Sequence, residues 1–520
     1  MASVSVTGSV RVDAPEGVTV TPRVAPATSA ALGAAAGAAA DHSVLAEGLR
    51  GAGFEVAADF DLHVSAPARQ LGAAAQPVRV RVDVKAKENA VLLLEAPGGV
   101  FAWSFPQDRH AKPAGLGVAP AARGLSAGTL VFNLTPSEHQ DGVGISFKSL
   151  KGSPVWDWVV RKAGGAIRTR VLKFVIGKLE DFAVDRIEGG LKSGLTSLAH
   201  DDPRDWRVGG DAVPSLTGAK KLLLMVHGTF STTTGSYGGL AAGTAGPAFL
   251  KAARSRYDAV VGFDHRTLGQ GVEQNARDIM QALAGLPQGA HIDAVAYSRG
   301  GLVYRTFAEE ILAAQRPDIR LGKCVFVGCT NGGTHLAEPD NWAAMVDLYT
   351  SIALAATKLL TRLAGPGARA VGMVVSELIR LLGKFVQYLS VVAITDRRVP
   401  GLADMEPDSQ LVKRLNAATT GSERLADYFV ITSNFVPKLD PDKGMTAELV
   451  EMLLDRITNR LFKTENDLVV DTRSMALLGG RQARLKETNV FNYGDVEDIY
   501  HTIYFGADRT AQQLSTWLLT

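Results

Sequence analysis

The stretch HIDAVAYSRGG, residues 291–301, decides how this chain is read. It runs as a short apolar strand, reaches Ser298, and opens a helix on glycines. The helix is expected over about Arg299 to Gln315, with Val303, Phe307 and Ile311 spaced four apart on one face and Pro317 limiting it. A serine on such a sharp turn projects its hydroxyl above the sheet edge. The small neighbours Ala296 and Gly300 let the backbone crowd together there. The N–H of Arg299 then sits at a helix N-terminus, where it can stabilise an oxyanion. The pentapeptide alone also fits an ordinary strand–helix turn whose serine caps the helix. Other segments decide between the two.

Lys221 to Gly228, KLLLMVHG, reads as a buried parallel strand ending at His-Gly. A loop rich in Thr, Ser and Gly follows. Its Thr229 N–H is the first choice for a second oxyanion donor and Phe230 the second choice, while the His227 ring reads as structural. Downstream of Ser298 the histidines are His335 and His501. His501, in DIYHTIYF, follows the strand candidate Thr488 to Tyr493, which is where a catalytic base belongs, and His335 is the weaker option. The acid should follow the strand candidate Asp427 to Asn434. Asp467 and Asp471 compete for that place, and most loop aspartates are only turn or cap residues.

With HGTFS at 227–231, AYSRG at 296–300, TNGGT at 330–334, NDLVV at 466–470 and His501, residues 220 to 520 resemble the α/β-hydrolase superfamily, within it the serine lipases and esterases. Thr330 replaces the proline of the lipase Pro-Asn-x-Gly-Thr segment, and Ala296 replaces the first glycine of the serine motif. Asp467 with Val470 resembles the lipase pattern Asp-x-x-Val. The resemblance implies an α/β-hydrolase fold with a mostly parallel sheet and a helical cap. It implies that His501 deprotonates Ser298, that Asp467 orients the imidazole, that the N–H groups of Thr229 and Arg299 hold the oxyanion, and that water resolves the acyl-enzyme. No metal or organic cofactor is implied.

With 520 residues, two or three domains are expected. A composition 46% hydrophobic and 21% charged excludes a disordered chain, and a formal charge of +2 argues against a nucleic-acid binder. The two cysteines, Cys324 and Cys329, read as core thiols on opposite faces of a strand. No signal peptide or spanning helix is read, so a cytoplasmic location is expected.

Residues 1–150 read as a mostly β, sandwich-like domain. Val78 to Val84 alternates, Ala90 to Leu94 and Val100 to Phe105 are apolar around the Gly98-Gly99 turn, and Thr129 to Leu134 is a further strand. Ala30 to Ala40 reads as a small-residue linker or helix. Residues 151–205 read as a helical connector. Its basic stretch 161–178 is either a packed helix or a peripheral contact to anionic lipid. Residues 206–520 form the hydrolase unit, with a helical insertion at about 336–425. Met345 to Leu363 and Ala368 to Ile394 are its apolar helices, and they either cover the serine or simply pack.

The function so read is a serine carboxylic-ester hydrolase acting on a small-molecule or lipid-like ester. Amidase, thioesterase and acyltransferase chemistry would use the same residues. A different class is an interaction or effector protein on a hydrolase scaffold, regulated by a protein partner through the N-terminal domain.

Overall fold

The computed structural model describes residues 1–23, 39–65, 77–106, 127–134, 166–176, 187–210, 213–360, 366–391, 399–417, 427–439, 464–479 and 485–520, with a few positions between 446 and 462. The Ala30 to Ala40 stretch lies almost wholly outside them.

Among the described residues, nine strands build the N-terminal part: β1 (Ala2–Thr7), β2 (Val10–Ala14), β3 (Val18–Pro22), β4 (Glu55–Val64), β5 (Val78–Val84), β6 (Glu88–Ala96), β7 (Val100–Ser104), β8 (Gly128–Leu134) and β9 (Ala166–Val175). They form two antiparallel sheets, ordered β1-β2-β5-β8 and β3-β4-β9-β6-β7. In β5 the valines face inward and Arg79, Arg81 and Asp83 outward, as the two-residue repeat requires. Valines 80 and 82 join Phe60, Leu62 and Leu92 of the second sheet in one apolar cluster. Residues 90–94 of β6 are buried without alternation, because the second sheet is covered on its other face by helices.

The basic stretch 161–178 is a correction. Its described part is strand β9, not a helix. Ile167, Val171 and Phe174 fit a helical face, but a ten-residue apolar and basic mixture fits a strand as well. Cross-strand acids decide the outcome. Arg170 lies opposite Asp59 and Arg168 opposite Asp61 and Glu95. Arg168 pairs bidentately with Asp59, Arg170 donates to Glu95, and Lys173 donates to the Asp83 carbonyl. Among the described residues of the stretch, Arg168, Arg170 and Lys173 are thus matched inside the sheet. Within the helical connector expected at 151–205, the described residues Ala166–Val175 and Gly194–Ser197 are strands instead.

That second part holds β10 (Gly194–Ser197), β11 (Arg207–Val208), β12 (Lys221–Val226), β13 (Ala259–Asp264), β14 (His291–Tyr297), β15 (Arg320–Val327), β16 (Asp427–Phe435) and β17 (Val490–Val496). The order is β11-β10-β13-β12-β14-β15-β16-β17, and the six strands from β12 onward run parallel. Successive residues of β12 feed opposite layers: Leu222, Leu224 and Val226 one core, Leu223 and Met225 the other. Helices Val272–Ala282 and Gly300–Arg305 pack on the first side, Ala245–Arg256 and Asp508–Leu518 on the second. Strand order reverses at β12, whose neighbours are β13 and β14. That switch point lies at the carboxyl ends of β12 and β14, the place where open α/β sheets bind ligands.

Cys324 and Cys329 are free and buried as expected, but both belong to the same core. The alternation stops because β15 ends at Val327 and Gly328 turns to φ +53°.

Helices Trp342–Leu360 and Pro366–Val391 lie between the two parts. The edge strand β7 would leave open N–H groups. Instead, Phe101 N–H donates to Ser351 Oγ at 3.0 Å and Trp103 N–H to Asp347 Oδ1 at 2.8 Å, while the Trp103 indole reaches Thr350. Helix Ala39–Gly51 seats against Pro366–Val391, close enough that a Cβ on Gly48 would meet Ile379 at 2.7 Å.

Candidate active site

Ser298 follows β14 with φ +54°, a left-handed conformation that costs a non-glycine residue roughly 1–3 kcal/mol. Three glycines make room for it. A Cβ on Gly228 would lie 2.5 Å from Ser298 Cβ, one on Gly300 2.2 Å from the Val226 carbonyl oxygen, and one on Gly301 2.6 Å from Cys329 Cβ. The crowding read from the sequence at Gly300 is present at this turn, and Gly228 and Gly301 add to it. The helix after it widens into a π-type turn at Thr306–Leu312 and regains α geometry at Ala313–Gln315.

Asp467 occupies a tight turn between β16 and β17. Its N–H donates to the Val470 carbonyl, and its Oδ1 accepts from Val469 N–H at 3.1 Å and Val470 N–H at 2.8 Å. Leu468, at φ +76°, closes the turn. His501 opens the 3₁₀ segment His501–Gly506 after β17. Its N–H donates to the Asp467 carbonyl at 3.0 Å, and its own carbonyl accepts from Tyr297 OH at 2.6 Å. The Tyr297 ring stacks on the imidazole with centroids 5.1 Å apart.

These anchors set one line. Asp467 Oδ2 lies 2.8 Å from His501 Nδ1, and His501 Nε2 lies 2.9 Å from Ser298 Oγ. An ionised carboxylate only accepts, so Nδ1 carries the proton and Nε2 is left to accept from the serine hydroxyl. The three residues are 0%, 1% and 3% exposed, so access to Ser298 is through covered space.

The backbone N–H groups of Thr229 and Arg299 have no acceptor among the described residues, whereas Phe230 N–H is engaged by Thr267 Oγ1 at 3.2 Å. That ranks Thr229 above Phe230. The Arg299 guanidinium is buried, donates to the carbonyls of Gly401 and Gln270, and is lowered by burial to about 10.

Asp471 stands apart from this line, at the N-cap of Thr472–Met475. His335 pairs with Glu338. His227 donates from Nδ1 to the Gly228 carbonyl and accepts at Nε2 from His265 N–H, and burial lowers its pKa, as a structural role requires. Among the described residues no group of His, Cys, Asp and Glu has the geometry of a metal site, and no helix is long and apolar enough to cross a membrane.

Sequence reasoning missed Tyr297, Tyr504 and Glu188. Tyr297 adjoins the serine and carried no signal of its role. Tyr504 is three residues after His501, and residues three apart eclipse in a 3₁₀ turn. Glu188 is buried and accepts from the N–H groups of Thr267, Leu268 and Gly269, holding the loop whose Thr267 fixes Phe230.

Aromatic rings pack on the loop after β12. Phe230 meets Tyr349 of the first helix at 5.8 Å and Phe385 of the second at 5.5 Å, and Trp342 packs on Phe385.

Comparison with known proteins adds the following. A family described as a domain of unknown function, DUF7379, matches residues 193–519, and a second, DUF7362, matches residues 7–129. No curated protein matches. Among solved structures, phospholipase PlaB from Legionella pneumophila is 16% identical over 49% of this chain and 45% of that one, with a TM-score of 0.31. Lipase 1 from Pelosinus fermentans is 14% identical over 57% and 99%, with a TM-score of 0.34. Carboxylesterase CesB from Bacillus subtilis is 12% identical over 65% and 95%, with a TM-score of 0.28. The chain spans less than half the length of the Legionella phospholipase.

Proposed function

The chain belongs, through residues 193–519, to the DUF7379 family, and we propose that it is a serine hydrolase of the α/β-hydrolase fold that cleaves carboxylic esters through an acyl-enzyme on Ser298. The observation that carries the reading is the unbroken hydrogen-bond line from Asp467 through His501 to Ser298. In this reading His501 takes the serine proton as Oγ attacks the ester carbonyl. Asp467 keeps the imidazole in the required tautomer and stabilises the imidazolium. The free N–H groups of Thr229 and Arg299 receive the oxyanion. His501 then returns the proton to the leaving alcohol, and an activated water releases the acid. The aromatic cover from Phe230, Tyr349 and Phe385 suits an apolar acyl part.

We assign the N-terminal strands to a separate β domain and the helices at 342–391 to a cap. A second reading has one observation in its favour: Ser298 is buried, and the helix Trp342–Leu360, whose Tyr349 packs on Phe230 beside the site, is hydrogen-bonded to β7. A protein that binds the β domain and loosens that attachment would switch the hydrolase on.

Labelling with a fluorophosphonate probe tests the first reading. Wild type should label, and Ser298→Ala and His501→Ala should not. Folded wild type that fails to label alone, but labels once the cap helices are destabilised, would favour the second. p-Nitrophenyl esters of graded chain length then read the acyl preference.

A further inference from the structure

Behind Asp467 lie two buried hydroxyls that the reaction above leaves unused. Tyr504 OH is 3.1 Å from Asp467 Oδ2, and Ser433 Oγ is 2.7 Å from Tyr504 OH. Both residues are fully buried, Ser433 on β16 and Tyr504 on the segment that carries His501.

Counting protons fixes the direction of these bonds. Oδ1 of Asp467 is taken by two backbone N–H groups, and Oδ2 already accepts from His501 Nδ1. An ionised carboxylate has no proton to give, so at 3.1 Å the phenol must be the donor. Its single proton is then committed, and Ser433 must donate to the phenol oxygen. The reverse order would set two oxygen lone pairs against each other in a dry interior, which is costly. Burial, and then the Asp467 charge, push the Tyr504 hydroxyl well above its ordinary range, which keeps it a neutral donor.

The seat for the ring is built. A Cβ on Gly328 would lie 2.8 Å from Tyr504 Cε2 and 3.1 Å from Asp467 Oδ2. Only glycine at the end of β15 lets the phenol pass beside the carboxylate.

We propose that Tyr504, itself oriented by Ser433, is a positioning residue of this site: it shares Asp467 Oδ2 with His501 and so sets both the aim of the carboxylate and how strongly it pulls on the imidazole proton. The proposal rests on the hydrolase reading for its catalytic consequence. The arrangement does not depend on that reading. Partners that orient a functional group tune it as well as hold it in place.

The test uses the full chain as wild type, Tyr504→Phe and Ser433→Ala. Two readouts are followed: the pH dependence of fluorophosphonate labelling, and the low-field Nδ1 proton of His501 by NMR. Tyr504→Phe removes one oxygen and leaves the ring in place. Without the phenol, Oδ2 serves His501 alone. The Nδ1 proton should then move downfield, the acid limb of the labelling profile should shift to higher pH, and the neutral-pH rate should fall at least about fivefold, the worth of one hydrogen bond. Ser433→Ala should move all three the same way by less, and it decides the matter if Tyr504→Phe does not fold. A folded Tyr504→Phe with an unmoved Nδ1 proton and an unmoved acid limb would overturn the proposal, because packing alone changes neither. If wild type labels neither alone nor with the helices at Trp342–Leu360 and Pro366–Val391 destabilised, the hydrolase reading fails, and the proton resonance still judges the role of Tyr504.

Discussion

Around Ser298 the chain is held by backbone. Carbonyls, N–H groups and positive-φ turns at Ser298, Phe230 and Leu468 fix each group, and glycines 228, 300 and 301 leave no room for a side chain. The helices at 342–391 differ. They reach the site through rings such as Tyr349 and Phe385, and reach the β domain through Asp347, Thr350 and Ser351. Backbone positions tolerate no sliding, whereas ring packing and side-chain bonds can be exchanged one at a time. The residues around Ser298, the floor, are therefore suited to hold geometry, and the helices, as the cap proposed above, to move. This difference can be broken by substitutions on either side.

The largest effect is expected in the floor. Asp467→Asn retains shape and volume, yet its amide would face Nδ1 and drive the imidazole to the wrong tautomer. Activity should fall about 10⁴-fold with little change in melting temperature. A fall below tenfold in the folded variant would take Asp467 out of the proposed role. Gly300→Ala comes next. Its Cβ would lie 2.2 Å from the Val226 carbonyl, a backbone atom with nowhere to go. We expect destabilisation of roughly 3 kcal/mol or failure to fold, judged by denaturant midpoint. Gly128→Ala, with nothing within 4 Å, is the control and should shift the midpoint little.

How much of this could be read beforehand follows the same division. The floor was legible because its demands are local. A serine between small residues after an apolar run and a histidine after the last strand picked out two groups that the fold brings to 2.9 Å. Asp467 and Asp471 were not separable in sequence, since only the turn closed by Leu468 turns one of them toward His501. The cap's attachment was not legible, because it depends on pairs such as Trp103 with Asp347, 244 residues apart. The failure at 161–178 has the same cause. Its helical spacing is real, but Asp59 and Glu95 on neighbouring strands made it a strand. Tyr504 falls between these cases: its distance from His501 is a visible signal, but only in a segment already known to be 3₁₀.

On the cap side, Asp347→Ala leaves the buried Trp103 N–H without its acceptor, which should cost roughly 1–3 kcal/mol in a thermal or denaturant melt. Labelling of Ser298 should become faster, if it changes at all. A slower rate would mean that the cap holds the floor in shape, and the contrast drawn above would fail.

The smallest expected effect is on acid stability, and it sharpens the picture of the floor. His227 and His265 stack with centroids 4.0 Å apart beneath the Thr229 loop. Burial holds His227 below its usual range, with Asp264 opposing. Burial, then His227 and Arg299, hold His265 well below it. In the unfolded chain both rings take a proton near pH 6.5. Below that pH the unfolded state binds more protons than the folded one, so stability is complete above about pH 6.5 and drains as the pH falls further. Melting temperature should therefore drop between pH 7 and pH 5.5. His265→Phe, which preserves the stack on Phe263 and His227 but cannot titrate, should flatten the drop. A slope unchanged in that variant would move the acid sensitivity elsewhere and leave the loop under Thr229 held by packing and by Glu188 rather than by a neutral histidine pair.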